Sequence, residues 1–149
     1  MFRSLTRLLS FLLLTTATLS FAGNAAAQSK PYQATGIAQF AANQSDFTGG
    51  GQATHLGKYT EVGHVVFTPT STPGVFEVDG WSHYTAANGA ELFAVLHGSV
   101  DMVTGAIIAT ATYVGGTGLF THASGSSALA GQMLGGGALT IAAVGSISY

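Results

Sequence analysis

The sequence predicts an all-β fold, a single antiparallel closed β-barrel of about eight strands. Three observations support it: short β-prone runs follow one another from Gln33 onward, Gly, Pro, Asn or Ser residues separate them at regular spacing, and none of the runs has a helical period. Because no helix is predicted that could cover an apolar sheet, closure into a barrel is the simplest way to bury one face.

The first predicted element is a signal peptide over residues 1–27. Arg3 and Arg7 precede the apolar run Leu8–Ala22, and Ala25 and Ala27 fit the small-residue rule for cleavage before Gln28. Thr and Ser residues within this run make it less apolar than a membrane-spanning helix, which disfavours a retained membrane anchor. No membrane span is therefore expected after signal removal. We therefore expect a secreted or periplasmic protein, with an N-terminal tether at residues 28–32 and a β-barrel domain at residues 33–149.

The predicted strands follow in chain order, each a β-prone run that ends at turn-forming residues. They are Gln33–Ala41, Gly51–Thr60, Val62–Thr68, Val75–Thr85, Ala90–Val100, Ala106–Val114, Ser127–Leu134 and Ala138–Ser148.

The clearest connection between two strands is the turn at Asn88-Gly89. Both residues can take the positive φ of a two-residue type I′ hairpin, which would pair Ala87 with Ala90 and His83 with Ala94. One face of this ribbon would then carry Glu77, Asp79, Trp81 and His83 with Leu92, Ala94 and Leu96, and the other face Phe76, Val78, Tyr84, Phe93, Val95 and His97. Both faces are largely apolar, so we expect a barrel that self-associates as a homo-oligomer.

Composition limits the partners of the mature chain. Lys30 and Lys58 are its only basic residues besides histidine and stand against six Asp and Glu residues, a net charge of −4. A nucleic acid partner is not expected, because the chain cannot assemble a basic patch that neutralises phosphates. The sequence contains no cysteine, which excludes a disulfide framework, and no motif that predicts a cofactor.

The candidate site is the ribbon face that carries Glu77, Asp79, Trp81 and His83. If this face points into the barrel, His83 with Glu77 or Asp79 is a candidate catalytic acid/base pair, and Trp81 and His83 are candidate ligand-binding residues. If it points outward, the same residues form a solvated rim. No pair of histidines has a recognised metal-binding spacing, so no metal site is predicted.

Four stretches of the chain occur in an order that resembles small exported bacterial proteins related to the allene oxide cyclase and dirigent barrels. They are Ala53–Thr60, Thr85–Gly89, Val114–Gly125 and Gly145–Tyr149. The resemblance spans most of the mature chain. It implies an eight-stranded antiparallel barrel with an apolar central cavity, which is commonly dimeric or trimeric in the plant relatives. It carries over no catalytic residue.

Two of these stretches also have a structural interpretation. The glycines of Gly115–Gly125 are not followed by a helix and a lysine, as in phosphate-binding loops, so they are expected to form a barrel corner that Phe120 plugs. His55 is a candidate ligand-binding residue, and a hydrogen bond that ties two strands together is its simpler role.

The leading functional hypothesis is therefore a non-catalytic one: the barrel binds a small apolar molecule or serves a structural role. Two alternatives remain open at this point. One is a cofactor-free isomerase or cyclase acting on an apolar substrate through His83 and Glu77 or Asp79. The other is a small outer-membrane β-barrel, which the alternating strand before the terminal aromatic Tyr149 favours and the short chain disfavours.

Overall fold

The computed structural model describes residues 27–149, which form one closed antiparallel barrel of eight strands in sequential order. The predicted fold class is confirmed. Each strand pairs with its neighbours in the chain, and β8 pairs with β1 to close the wall. Apart from Ala27, the predicted signal peptide lies outside the described residues. The strands are β1 Lys30–Phe40, β2 Asp46–Ala53, β3 Gly57–Pro69, β4 Val75–Thr85, β5 Glu91–Asp101, β6 Ala106–Gly116, β7 Ser124–Met133 and β8 Ala138–Ser148.

The first three strands differ from the predicted ones, and β3 continues from Gly57 to Pro69, so the predicted break between Thr60 and Val62 is wrong. β1 begins at Lys30, so part of the predicted tether at residues 28–32 belongs to the barrel wall. The predicted strand Gly51–Thr60 is interrupted by a turn at residues 54–56, where His55 has a φ of 71° and Gly57 a φ of 67°. The prediction failed because the turn depends on a positive φ at His55, a residue type that seldom adopts one, and Gly57 is the single glycine that marks it in the sequence.

Side chains alternate between the barrel interior and the outer wall along every strand, and the two ends of the barrel differ. At one end Leu92, Phe120 and Ile147 are completely buried and close the interior. At the opposite end the inward-facing Phe40 and Met133 are only half-buried, and the loop residue Val103 is 82% exposed. The interior is therefore sealed at the first end and thinly covered at the second.

The glycine-rich stretch forms the closed end, as predicted. A 3-10 turn at Gly118–Phe120 follows β6 and places Phe120 in the core, with its ring 5.2 Å from that of Tyr149. Gly115 and Gly118 have φ values of 111° and 57°, and the β5–β6 register shifts between Leu92 and Ala94, as a bulge requires. Thus the glycines build a corner of the barrel.

The hairpin between β4 and β5 differs from the prediction in a way that changes the site. Its loop has three residues, Ala87 to Gly89, with Gly89 at a φ of 85°; Asn88 does not have positive φ. The backbone of Ala86 pairs with that of Ala90 across this loop. The predicted two-residue turn and its register are wrong by one residue, which exchanges the two faces of β5 relative to β4.

Among the described residues, no helix is long and apolar enough to cross a membrane.

Candidate functional site

The barrel encloses a cavity of about 100 Å³ that runs along its axis. Aromatic and aliphatic side chains make up most of its lining, and phenylalanine and methionine side chains lie toward the thinly covered end. Toward the closed end the lining becomes polar: four tyrosines and one carboxylate face the cavity. The polar lining residues are Tyr32, Tyr59, Glu61, Tyr84 and Tyr113.

Glu61 is held by its neighbours on β4. In the β3–β4 register Glu61 lies opposite Tyr84 and Gly63 lies opposite Ser82, so these side chains share the inner face. The Ser82 hydroxyl, which is completely buried, donates a hydrogen bond of 2.6 Å to Glu61 Oε1. Tyr84, the register partner of Glu61, lies beside the carboxylate. The carboxyl group therefore has a fixed position at the polar end of the cavity.

Burial raises the pKa of Glu61 above the usual range of a glutamate, and the hydrogen bond from Ser82 and the neighbouring Tyr84 side chain oppose this shift only in part. Nothing nearby supplies a positive charge: no Lys, Arg or His residue among residues 27–149 lines the cavity. Lys30, at the closed end, places its ammonium 3.8 Å from the centre of the outer-lying Tyr149 ring. Glu61 is thus an unpaired acidic group in an apolar cavity.

The four tyrosines surround this carboxyl in two pairs. The rings of Tyr32 and Tyr113 lie 5.1 Å apart, and those of Tyr59 and Tyr84 lie 5.6 Å apart. Burial, reinforced by the charge of Glu61, raises the pKa of Tyr59 to about 12, and burial also raises the pKa values of the other three. All four hydroxyls therefore stay protonated at neutral pH. The Tyr113 hydroxyl lies 2.7 Å from that of Ser127, which is also buried.

The residues singled out in the sequence lie on the outside of the barrel. Ser82 and Tyr84 of β4 are buried and face inward, so Trp81 and His83, which alternate with them, face outward, as do Glu77 and Asp79. The predicted acid/base pair of His83 with Glu77 or Asp79 therefore does not face the cavity. The β5 residues that share this outer face also differ from the predicted ones: Trp81 pairs with Val95 and His83 pairs with Phe93, instead of with Leu96 and Ala94.

On the outer wall these residues separate into two groups. The His83 ring packs between Trp81 and Phe93, with ring centroids 4.7 and 4.3 Å away. Glu77 and Asp79 instead approach His97 on β5, whose Nδ1 lies 2.7 Å from Asp79 Oδ1, a hydrogen bond that raises the pKa of His97. Potential metal-ligating atoms of Glu77, Asp79 and His97 lie within 4.8 Å of one another, and all three side chains are exposed.

His55 joins three parts of the closed end. Its Nε2 lies 2.9 Å from the carbonyl oxygen of Pro31 and its Nδ1 lies 3.1 Å from the Tyr149 hydroxyl. Because a carbonyl oxygen only accepts, Nε2 carries the proton and Nδ1 accepts from Tyr149. The side chain thus links the β2–β3 turn to β1 and to the chain end, a structural contact outside the cavity.

Glu61 was not predicted as a site residue, although the residue pattern of β3 places it on the inner face. Tyr59, Glu61, Gly63, Val65 and Phe67 alternate on one face of β3, so Glu61 is the single carboxylate on an otherwise apolar or small face. The predicted strand break between Thr60 and Val62 concealed this alternation.

Comparison of the chain with protein-family models, with curated proteins and with solved structures gives no match.

Proposed function

We propose that this barrel is an exported protein that binds a small, largely apolar molecule in its central cavity. The observation that carries the proposal is the cavity of about 100 Å³, lined mostly by aromatic and aliphatic side chains and thinly covered at one end. Eight-stranded barrels are wide enough inside to hold one small ligand. Membership of the allene oxide cyclase and dirigent group is part of the proposal and rests on the four sequence stretches and on the eight-stranded closed barrel.

The cavity volume limits the ligand. An apolar cavity of about 150 Å³ holds a benzene molecule, whereas sites for drug-sized ligands measure about 300–1,000 Å³. A cavity of about 100 Å³ therefore fits a molecule of a few heavy atoms, or one end of a longer molecule that leaves the barrel between Phe40 and Met133.

Native mass spectrometry of the mature protein, purified without detergent, tests this proposal. A bound mass that leaves on denaturation supports it. Replacement of the inward-facing Ala34 by leucine would fill the cavity and is expected to abolish the bound mass, while the same change at the exposed, outward-facing Ala142 keeps it. A protein with nothing bound, and with no affinity for small apolar probes, would favour the structural role instead.

The enzymatic alternative, a cofactor-free isomerase or cyclase, loses its predicted acid/base residues because His83, Glu77 and Asp79 face outward. Its remaining support is Glu61, a carboxyl with a raised pKa that faces an apolar cavity, where a carboxyl can serve as a general acid or base. The outer-membrane alternative is disfavoured by the exposed Asp79 and His97 in the middle of the outer wall, since lipid-facing charges destabilise membrane barrels.

Self-association belongs to the same proposal and involves the outer wall of β3 to β6. This wall exposes large apolar side chains and no Lys or Arg among the described residues other than Lys58 at one end. The exposed apolar residues are Val62, Val66, Trp81, Val95, Ile108 and Val114. The exposed Glu77, Asp79 and His97 side chains lie in the same wall, and a second copy offers an identical surface with the same apolar side chains, as a symmetric dimer requires. Val95→Glu is expected to convert the oligomer to a monomer in size-exclusion chromatography with light scattering; an unchanged mass would exclude this wall as the interface.

A further inference from the structure

We propose that the cavity selects ligands that carry a positively charged amino or ammonium group on a small apolar body, with Glu61 as the counter-charge. This inference rests on the proposed ligand-binding function and specifies the chemical class of the ligand.

The first argument is the missing positive charge. A carboxylate in an apolar environment is costly unless an opposite charge or several hydrogen bonds compensate it. Glu61 has a hydrogen bond from Ser82, but the described chain provides no cation inside the barrel. A ligand ammonium group would supply that charge at the place where the protein lacks it.

The second argument is the aromatic surroundings of Glu61. Faces of tyrosine rings attract ammonium groups, and cages of several aromatic rings recognise quaternary ammonium ligands. Four tyrosines from β1, β3, β4 and β6 line the same end of the cavity as Glu61, and their hydroxyl oxygens can accept hydrogen bonds from N–H groups. An ammonium group placed there meets both a carboxylate and the rings.

The third argument excludes other polar groups. An anionic ligand would be repelled by Glu61 and would find no donor with a positive charge. A neutral hydroxyl group can donate a hydrogen bond to the ionised carboxylate but does not neutralise its charge, and a neutral carbonyl group accepts a hydrogen bond from Glu61 only when the carboxyl is protonated. A cation is therefore the polar group that the ionised site favours most.

The apolar part of the ligand would lie toward the thinly covered end. Strands β2, β5, β7 and β8 contribute only apolar side chains to the lining, and these include Phe47, Leu96, Val100 and Leu129. The volume of about 100 Å³ suits an alkyl group of a few carbons. Short alkylamines are thus suitable probes.

The test compares three probes with the same four-carbon chain: n-butylammonium, 1-butanol and butyrate. Binding to the mature protein is measured by isothermal titration calorimetry and by chemical-shift changes of the inward-facing methyl groups. We expect n-butylammonium to bind at least about tenfold more tightly than 1-butanol, because loss of one partner of a desolvated charge pair weakens binding by at least this factor. Butyrate is expected not to bind.

Glu61→Gln is expected to remove this preference while 1-butanol binds as before, and Glu91→Gln provides the control with the same change of net charge. Glu91 faces outward, since the adjacent Leu92 is completely buried. If 1-butanol binds the native protein as tightly as n-butylammonium, the charge preference is refuted and the proposed ligand binding stands. If none of the probes binds, both proposals fail.

The pH dependence of the native protein gives a second test that does not require a variant to fold. Glu61 must be ionised to pair with a cation, so n-butylammonium affinity should fall as pH decreases through the raised pKa of Glu61, and binding should release a proton near and below that pKa, where the unliganded carboxyl is protonated. The groups that face Glu61 are Tyr32, Tyr59, Tyr84 and Tyr113, all protonated in this range. An affinity that rises as pH falls would refute the inference and indicate a neutral acceptor bound to protonated Glu61.

Discussion

Replacement of Glu61 by glutamine should stabilise the unliganded barrel at neutral pH. Burial raises the pKa of Glu61 in the folded protein, so the folded state holds the proton more tightly than the unfolded chain, whose glutamate has a pKa of about 4.3. Above the folded-state pKa the native protein must keep a desolvated carboxylate. The free energy of unfolding of the native protein therefore rises as pH falls from the folded-state pKa toward about 4.3.

Glutamine avoids this cost because it is uncharged, and its side-chain oxygen can still accept the hydrogen bond from Ser82. The expected gain is about 1.4 kcal/mol for each unit by which the folded-state pKa exceeds the unfolded one. It should be constant above the folded-state pKa and should disappear below about pH 4.

Urea unfolding followed by circular dichroism, at several pH values from 4 to 8, measures this difference for the unliganded proteins. Glu91→Gln, on the outer wall, should change the free energy of unfolding by no more than about 0.5 kcal/mol. A Glu61→Gln protein that is less stable than the native protein at pH 8, by an amount that does not vary with pH, would refute the argument. It would mean that the interactions of the Glu61 carboxylate with Ser82 and its other neighbours outweigh its desolvation.

Three further substitutions test the fold and the assignment of the site. Gly89→Ala should lower the free energy of unfolding by about 1–2 kcal/mol, because a φ of 85° is unfavourable for alanine, whereas the added carbon meets no atom within 4 Å. Urea unfolding measures this loss, and an unchanged stability would contradict the three-residue loop. Phe120→Ala should lower the free energy of unfolding by about 3–5 kcal/mol, because it removes a completely buried ring from the closed end. A loss below about 1 kcal/mol in the same assay would show that Phe120 does not stabilise the core. His83→Ala should lower the free energy of unfolding by about 1 kcal/mol, because the contacts with Trp81 and Phe93 are lost. It should leave n-butylammonium binding unchanged, and weaker binding in calorimetry would show that His83 contributes to the ligand site.

The interior site could have been predicted only in part. The inward alternation of Tyr59, Glu61 and Val65 is visible in the sequence, but it requires a strand that continues through Thr60 and Val62. The break in the chain lies instead at His55, where a positive φ is adopted by a residue that has hydrogen bonds to Pro31 and Tyr149. Contacts with residues distant in the sequence stabilise this turn, and local propensity does not reveal such contacts.

The sequence by itself determined the all-β class, the approximate number of strands and the glycine corner at Gly115–Gly125, because alternation and turn residues act over a few positions. Only the tertiary structure decided which side chains face the cavity. In a hairpin one extra loop residue exchanges the two faces of one strand relative to the other, so the Ala87–Gly89 loop puts Trp81 and His83 on the same face as Phe93 and Val95, and burial of Ser82 and Tyr84 turns that face outward. Closure of the barrel then brought Glu61 and tyrosines from four strands together, a proximity that depends on the register of every pair of strands between them.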